Sequence, residues 1–390
     1  MMKRTTSRER ITGPAGRGDT PAGSLDRCIS GFFRDTVRLS LSQPARARFF
    51  AKTALYQRRA AARRKDWEAR GVHVPPLMIL SVTRQCNLRC TGCFVQAQAA
   101  KAGSTDGHLT EGDLHRLLGE ARDLGVSVVA LAGGEPLTRP EILDVAGSYP
   151  EILFVLVTNG SLIDGSILDR LERQRNIIPV VSLEGFEKET DDRRGGGVYR
   201  HASRAMEQME ARGIFFGTSI MVTRANFALT TSRVFVRSLV KRGSRLFFYV
   251  DYVPIQPGTE HLVPSETQRG SEALTMDLFR AEFPGIFLAA SASEQSFGRC
   301  LAAGKGFIHV SPEGALEPCP FAPYSDVNIR NMSLVEALGS DLMRKIRDSD
   351  EHLSESDGGC ALWNKREWVE SLRSVEDGRH TPEPSERRAA

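Results

Sequence analysis

Cys86-Asn-Leu-Arg-Cys90-Thr-Gly-Cys93 sets three thiols within eight residues. As thiolates they can converge on one soft metal centre, zinc or an iron–sulfur cluster. A single structural zinc wants four ligands, and no His or fourth Cys adjoins the run. Three thiolates on a four-iron cluster instead leave one iron open, where a reactant can dock. A zinc loop, or three unrelated core cysteines, remains the alternative. Of the 7 cysteines, three more (Cys300, Cys319 and Cys360) form a second group, and Cys28 stands alone as a small apolar residue. An odd number, grouped this way, argues for metal ligation in a reducing compartment and against a disulfide framework.

The C-x3-C-x2-C spacing resembles the radical S-adenosylmethionine (SAM) superfamily. The resemblance implies a [4Fe-4S] cluster on Cys86, Cys90 and Cys93, with the methionine end of SAM on the fourth iron. Many members carry an aromatic residue just before the last cysteine, against adenine. Here that position is Gly92, and Phe94 follows as the aromatic candidate.

The elements that must position these thiols are legible. Leu77–Thr83 is short, apolar and introduced by Pro75-Pro76, so it reads as a buried strand whose end releases the cysteine loop. Thr110 caps a helix with Leu114, Leu117, Leu118, Ala121 and Leu124 on one face. Strands at 126–132, 152–157, 177–183, 214–222 and 246–253 alternate with helices at 141–147, 161–173, 200–212 and 227–241, with a loop after 183. Six such units mean a parallel sheet in an α/β protein, a partial (β/α)6 TIM-like barrel, since no G-x-G-x-x-G turn follows the first strand.

In such barrels the chemistry sits at the C-terminal ends of the strands. The second strand ends in Gly133-Gly134-Glu135-Pro136, whose glycines would let backbone approach a ligand; the resemblance assigns this stretch to the amino group of SAM. The third ends in Thr158-Asn159-Gly160. Alternation puts Ser182 and Glu184 on one face of the fourth, where two oxygen-bearing side chains could hold a ribose diol. By resemblance Arg194 reaches the carboxylate of SAM, with Asp191 orienting it. The fifth strand contributes Ser219 and Thr223, with Asn226 beyond. Asp251 and Tyr252 lie on opposite faces of the sixth, and whichever faces inward, with Gln256 and Glu260, is a candidate for substrate contact.

Phe307–Val310 and Leu316–Cys319 read as a hairpin around Ser311-Pro-Glu-Gly314, flanked by Cys300 and Cys319, with Cys360 following a helix at 334–348. This arrangement resembles the SPASM and twitch auxiliary-cluster domains and implies a second [4Fe-4S] cluster on Cys300, Cys319 and Cys360. Its fourth iron is open or takes a ligand such as His309. A zinc clip or a reduced structural set is the alternative.

Around this core, residues 1–23 read as a disordered basic tail, 24–72 as a basic amphipathic helical arm, 73–285 as the barrel, 286–370 as the auxiliary-cluster domain, and 371–390 as a disordered tail. Residues 1–70 carry 17 Lys/Arg against 6 Asp/Glu, whereas the remainder is net acidic. The arm either packs its apolar stripe on the barrel or lies against an anionic membrane; it carries no recognised nucleic-acid motif. No apolar run is long enough to span a bilayer and no signal core opens the chain. The expected location is cytoplasmic, with contact at the inner membrane face as the alternative.

The resemblance implies reductive cleavage of SAM, fed by a low-potential donor such as flavodoxin or ferredoxin. The resulting 5′-deoxyadenosyl radical takes hydrogen from a small-molecule or lipid-like substrate, and an auxiliary cluster serves electron transfer or substrate binding. A peptide-modifying enzyme is the alternative within the family, and a non-catalytic iron–sulfur or zinc protein the alternative outside it.

Overall fold

The computed structural model describes residues 21–39, 44–102, 107–289, 300–353 and 360–372 of the 390. The expected tails, apart from 21–23 and 371–372, and the side chain of Cys28 lie outside the described residues.

Strand β1 (Leu77–Thr83) pairs parallel with β2 (Val128–Gly133), and the series continues through β3 (Leu153–Thr158), β4 (Ile177–Leu183), β5 (Gly217–Val222) and β6 (Leu246–Asp251). The sheet does not stop there. A helix, Glu266–Glu282, returns the chain to a seventh parallel strand, β7 (Ile286–Ala289), just past the expected domain boundary. At the other edge, β8 (Phe307–Val310) pairs parallel with β1 and antiparallel with β9 (Leu316–Glu317). The second cysteine region is therefore hydrogen-bonded into the same nine-stranded open sheet, in the order β7-β6-β5-β4-β3-β2-β1-β8-β9.

Helix boundaries moved wherever the chain carries its own internal cap. Asp164 accepts from Ile167 N–H, so the helix expected from 161 begins at Gly165. Ser232 accepts from Phe235 N–H and splits 227–241 into Phe227–Thr230 and Arg233–Lys241. Ser340 divides 334–348 in the same way. A side-chain oxygen placed to satisfy orphan amides starts a new helix rather than continuing the old one. The loop after β4 holds an unforeseen helix, Glu187–Arg194, begun by Glu189 accepting from Phe186 N–H. The first helix starts at Pro21, before the expected start of the arm at residue 24, because proline is tolerated in a first turn.

One face of the sheet packs under the surrounding helices in the main core, with Met78, Leu80, Val129, Leu131 and Phe154 among its buried residues. The other face is closed at the strands' N-terminal ends by the arm, helices Pro21–Leu39 and Pro44–Glu68. Phe50, with Ile29, Phe32 and Phe49, packs against Leu153, Ile178, Val180, Phe215, Leu246 and Ile286. The basic side chains take part: Arg64 donates to Ser127 Oγ (2.7 Å) and to the Gly125 carbonyl, and Gln57 donates to Ser127 O (3.1 Å). Of the two readings of the arm, packing on the barrel is the one observed.

Candidate functional site

Strand register fixes which residues look into the barrel. The parity of the arm-facing residues continues to Ser81 and Ala132, paired across β1–β2, and to Ser182 and Ser219, paired across β4–β5. The inner wall is thus bulky and plugged at its base, and lined by small side chains near its mouth. Tyr252 lies one residue past β6 on the inner parity; Tyr249 and Asp251 lie on the outer one.

The cysteine loop leaves β1 at this mouth, with Cys86 exposed and Cys90 and Cys93 partly so. Polar ties from the segments after β3 and β4 hold it. Asn159 Nδ2 donates to Asn87 Oδ1 (2.9 Å), Asn87 Nδ2 donates to Ser161 Oγ (2.7 Å), and Thr91 N–H donates to Arg193 O (2.9 Å). Glu135 is buried, its carboxylate accepting from Thr158 Oγ1 (2.8 Å), Asn159 N–H (2.8 Å) and Leu137 N–H (3.1 Å). Burial raises its pKa, and these donors only partly offset that. Gly133 and Gly134 let the end of β2 pass close to the loop's entry. A Cβ on either would strike the carbonyl of Thr83 or Gln85, which accept from Gly134 N–H (2.7 Å) and Glu135 N–H (2.8 Å). Pro136 opens a short 3-10 turn beyond them.

Several expected ligand contacts have other partners. Glu184 is 1% exposed and its carboxylate is clasped by Arg194 through Nε (2.6 Å) and Nη2 (2.6 Å) and by Arg193 through Nη1 (2.7 Å). Burial alone would raise its pKa, but the two guanidiniums outweigh it and hold the group below the ordinary carboxylate range. Arg194 answers to Glu184 and not to Asp191, whose oxygens accept from Gly197 N–H (2.7 Å) and Tyr199 N–H (2.8 Å) at the start of the next helix. Thr223 and Asn226 cap each other, and Asn226 Nδ2 stitches the ends of β4 and β5 through Glu184 O and Met221 O, both at 2.8 Å. The Phe94 ring packs edge-on against Phe321, 5.3 Å away.

Phe321 follows Cys319 by two residues, and the contact joins the two cysteine regions. Gln98 Nε2 donates to Pro320 O (2.7 Å), and Arg84 forks onto Glu313 at 2.6 and 2.8 Å. Cys300, Cys319 and Cys360, scattered over sixty residues of sequence, come together. The Cys319 and Cys360 sulfurs are hydrogen-bonded, with Cys300 close enough to act on them electrostatically. That bond, then burial, pushes the Cys319 thiol well above its ordinary range. His309 is not free to join them. Its Nε2 lies 2.8 Å from Ser81 Oγ and its Nδ1 lies 2.7 Å from Glu317 Oε2, so both ring nitrogens are engaged.

Residues 80–225 match the radical SAM superfamily. Those residues form a radical SAM domain. The chain is 27% identical over 309 residues to the AdoMet-dependent heme synthase of Methanosarcina barkeri, covering 72% of this chain and 86% of that protein. It is 27% identical over 325 residues to the mycofactocin maturase MftC of Mycobacterium tuberculosis, covering 75% and 79%. In fold it is similar to SuiB of Streptococcus suis bound to S-adenosylmethionine, with a TM-score of 0.61 at 16% identity over 84% of this chain and 80% of that one. The non-catalytic reading is set aside, and the cofactors of this radical SAM domain are a [4Fe-4S] cluster and SAM.

The site suits them. Burial raises the Cys90 thiol, while Arg194 and Arg193 act to lower it, so two cations are in place for an anionic cluster. Neither arginine, nor Asn87, stood out by spacing as a support of the loop. The C-N-L-R-C wording was a signal for Asn87, since an amide between ligands can tie a loop without occupying a ligand position. No described helix is long and apolar enough to cross a membrane.

Proposed function

We propose that Cys86, Cys90 and Cys93 hold the SAM-binding cluster, that Cys300, Cys319 and Cys360 hold a second [4Fe-4S] cluster, and that the enzyme oxidises a compact organic substrate in the barrel mouth. Bound there, the SAM-binding cluster and SAM supply a 5′-deoxyadenosyl radical able to take hydrogen from an unactivated carbon, and the second cluster supplies a nearby electron acceptor.

The protein's own part is positioning. The Asn87–Asn159–Ser161 chain and the carbonyl of Arg193 fix the loop that presents the three thiols. Arg193 and Arg194, both paired to Glu184, set positive charge beside Cys90. The arm packs across the base of the barrel, opposite the mouth where the thiols lie. The small side chains of Ser81, Ala132, Ser182 and Ser219 leave the room a nucleoside and a substrate need. The two thiol groups are braced together by Phe94–Phe321, Gln98–Pro320 and Arg84–Glu313, and this bracing is the observation that carries the oxidative reading. An acceptor mounted rigidly beside the SAM site favours withdrawal of an electron over its return to the substrate.

Similarity to the heme synthase supports a small-molecule substrate. Similarity to MftC over a comparable share of the chain supports a second reading, a peptide substrate. Radical SAM enzymes need a reductant, and flavodoxin or ferredoxin fits the low potential required. The test is anaerobic reconstitution with iron and sulfide, then dithionite and SAM, followed by chromatography for 5′-deoxyadenosine. The expected result is about eight irons per chain and 5′-deoxyadenosine formation that Cys86→Ala abolishes. About four irons would sink the second cluster, and no 5′-deoxyadenosine above the Cys86→Ala control would sink the assignment of the SAM site.

A further inference from the structure

We infer that the outer face of the arm's second helix, Pro44–Glu68, is a docking surface for an anionic lipid bilayer, which holds the protein by the base of its barrel with the thiols facing away. The surface is separate from both cysteine groups, so it stands or falls apart from the chemistry proposed above.

Residues 36–65 hold 9 Lys/Arg and no Asp or Glu. A solvated helix face ordinarily mixes the two signs, because opposite charges one turn apart stabilise it. Burial divides this helix into two sides. Phe50, Thr53, Gln57, Ala60 and Arg64, three and four residues apart, are buried. Arg48, Lys52, Leu55, Arg59 and Arg63 recur at the same spacing on the far side, and all five are exposed. Exposed Arg58 and Lys65 widen the basic stripe along one edge. Among the described residues no carboxylate pairs with Arg48, Lys52, Arg58, Arg59 or Lys65.

A stripe of one sign requires an anionic partner, and its make-up favours a bilayer. Leu55 is 47% exposed between Lys52 and Arg59, and Tyr56 beside it lies under the Lys52 ammonium, 5.5 Å from the ring centre. An apolar side chain among cations suits the boundary between headgroups and acyl chains. A nucleic acid would be gripped through a groove or stacking rings, whereas this face is one convex helix. An acidic electron donor docked here would stand a strand's length, about 20 Å, from the thiols it must reduce. The apolar stripe of the helix is already used against the sheet. Attachment is therefore electrostatic and reversible, without insertion.

The experiment floats the full, anaerobically reconstituted chain with vesicles of phosphatidylcholine alone, or of phosphatidylcholine and phosphatidylglycerol in equal parts. Wild type should rise with the anionic vesicles only, and about 0.5 M salt should release it by screening. Lys52→Glu/Arg59→Glu should lower the bound fraction at least tenfold, with iron content and melting unchanged because both side chains are exposed. Leu55→Ser should lower it about threefold. Absence of wild type from the anionic vesicles, or equal flotation of the double variant, would overturn the inference. So would unchanged flotation of Leu55→Ser, or tighter binding to a duplex oligonucleotide than to vesicles of equal phosphate, which would make nucleic acid the partner. Should the double variant lose iron or melt early, Lys52→Gln/Arg59→Gln repeats the test without reversing charge: a fall in flotation supports the surface and no fall removes it.

Discussion

The two cysteine trios are built on opposite principles. The first is compact in sequence and open in space: eight residues on a loop, Cys86 exposed, held by amides, carbonyls, two arginines and a pair of glycines. The second is dispersed in sequence and closed in space. Cys300 and Cys319 are buried, and apolar neighbours such as Leu316, Ala322 and Leu353 surround the region. A site that must admit a reactant cannot be walled by packing, so it is held by directional polar bonds that leave one side free. A site that keeps its cluster to itself can use burial, which also discourages ionisation of thiols that hold no metal.

The largest separation between the two should come from cysteine replacement. Cys86→Ala should abolish SAM cleavage. Cys319→Ala should lower iron from about eight to about four per chain while 5′-deoxyadenosine still forms and the oxidised product does not. Equal loss of cleavage in both variants would mean that the sites are not separate in function.

Next is the ionic support unique to the first site. Glu184→Gln leaves two partly buried guanidiniums without their buried carboxylate and should cost about 3 kcal/mol, read by denaturant unfolding of the iron-free protein. The same pair sets a pH signature. Because the folded pKa of Glu184 lies below its ordinary value of about 4.3, its contribution is complete above that value and is lost as pH falls through the depressed one. Glu135, raised by burial, acts in the opposite sense, its folded-state penalty easing as pH falls through its raised pKa. Melting of wild type should therefore carry a descending limb as pH falls below about 4.3, which Glu184→Gln lacks.

Gly134→Ala tests the close approach of backbones at the loop's entry. Overpacking of this kind should cost about 1–3 kcal/mol and reduce iron at the first site while Cys319-dependent iron remains. The smallest effect belongs to Asn87→Ala, about 1 kcal/mol for one lost side-chain tie. It should appear as faster loss of the first cluster to a chelator, with little change in the melting of the iron-free chain.

Much of this design is written locally and some of it is not. Periodicity located the first six parallel strands to within a few residues, and the Thr110–Asp113 capping box is formed as expected. β7 was missed because its apolar run is only four residues long and its pairing partner lies forty residues upstream. The pairing of β8 with β1 was invisible for the same reason on a larger scale, since a strand of four residues does not announce which edge it will join. The helix at 187–194 escaped because it is almost wholly charged, without an apolar stripe to betray a face.

What the chain determines by itself is the inventory. Three thiols at fixed spacing after an apolar strand, and a barrel to carry them, follow from residue type and period, because both are set by neighbours a few bonds away. What only the tertiary structure decided is which group answers to which. Arg194 turned to Glu184 and not to Asp191, His309 to Ser81 and Glu317 and not to a cluster, and Tyr252 to Gly92 across 160 residues. These choices are settled by burial: once water is gone each polar group must find the partner the fold brings within reach, and no local pattern records that distance.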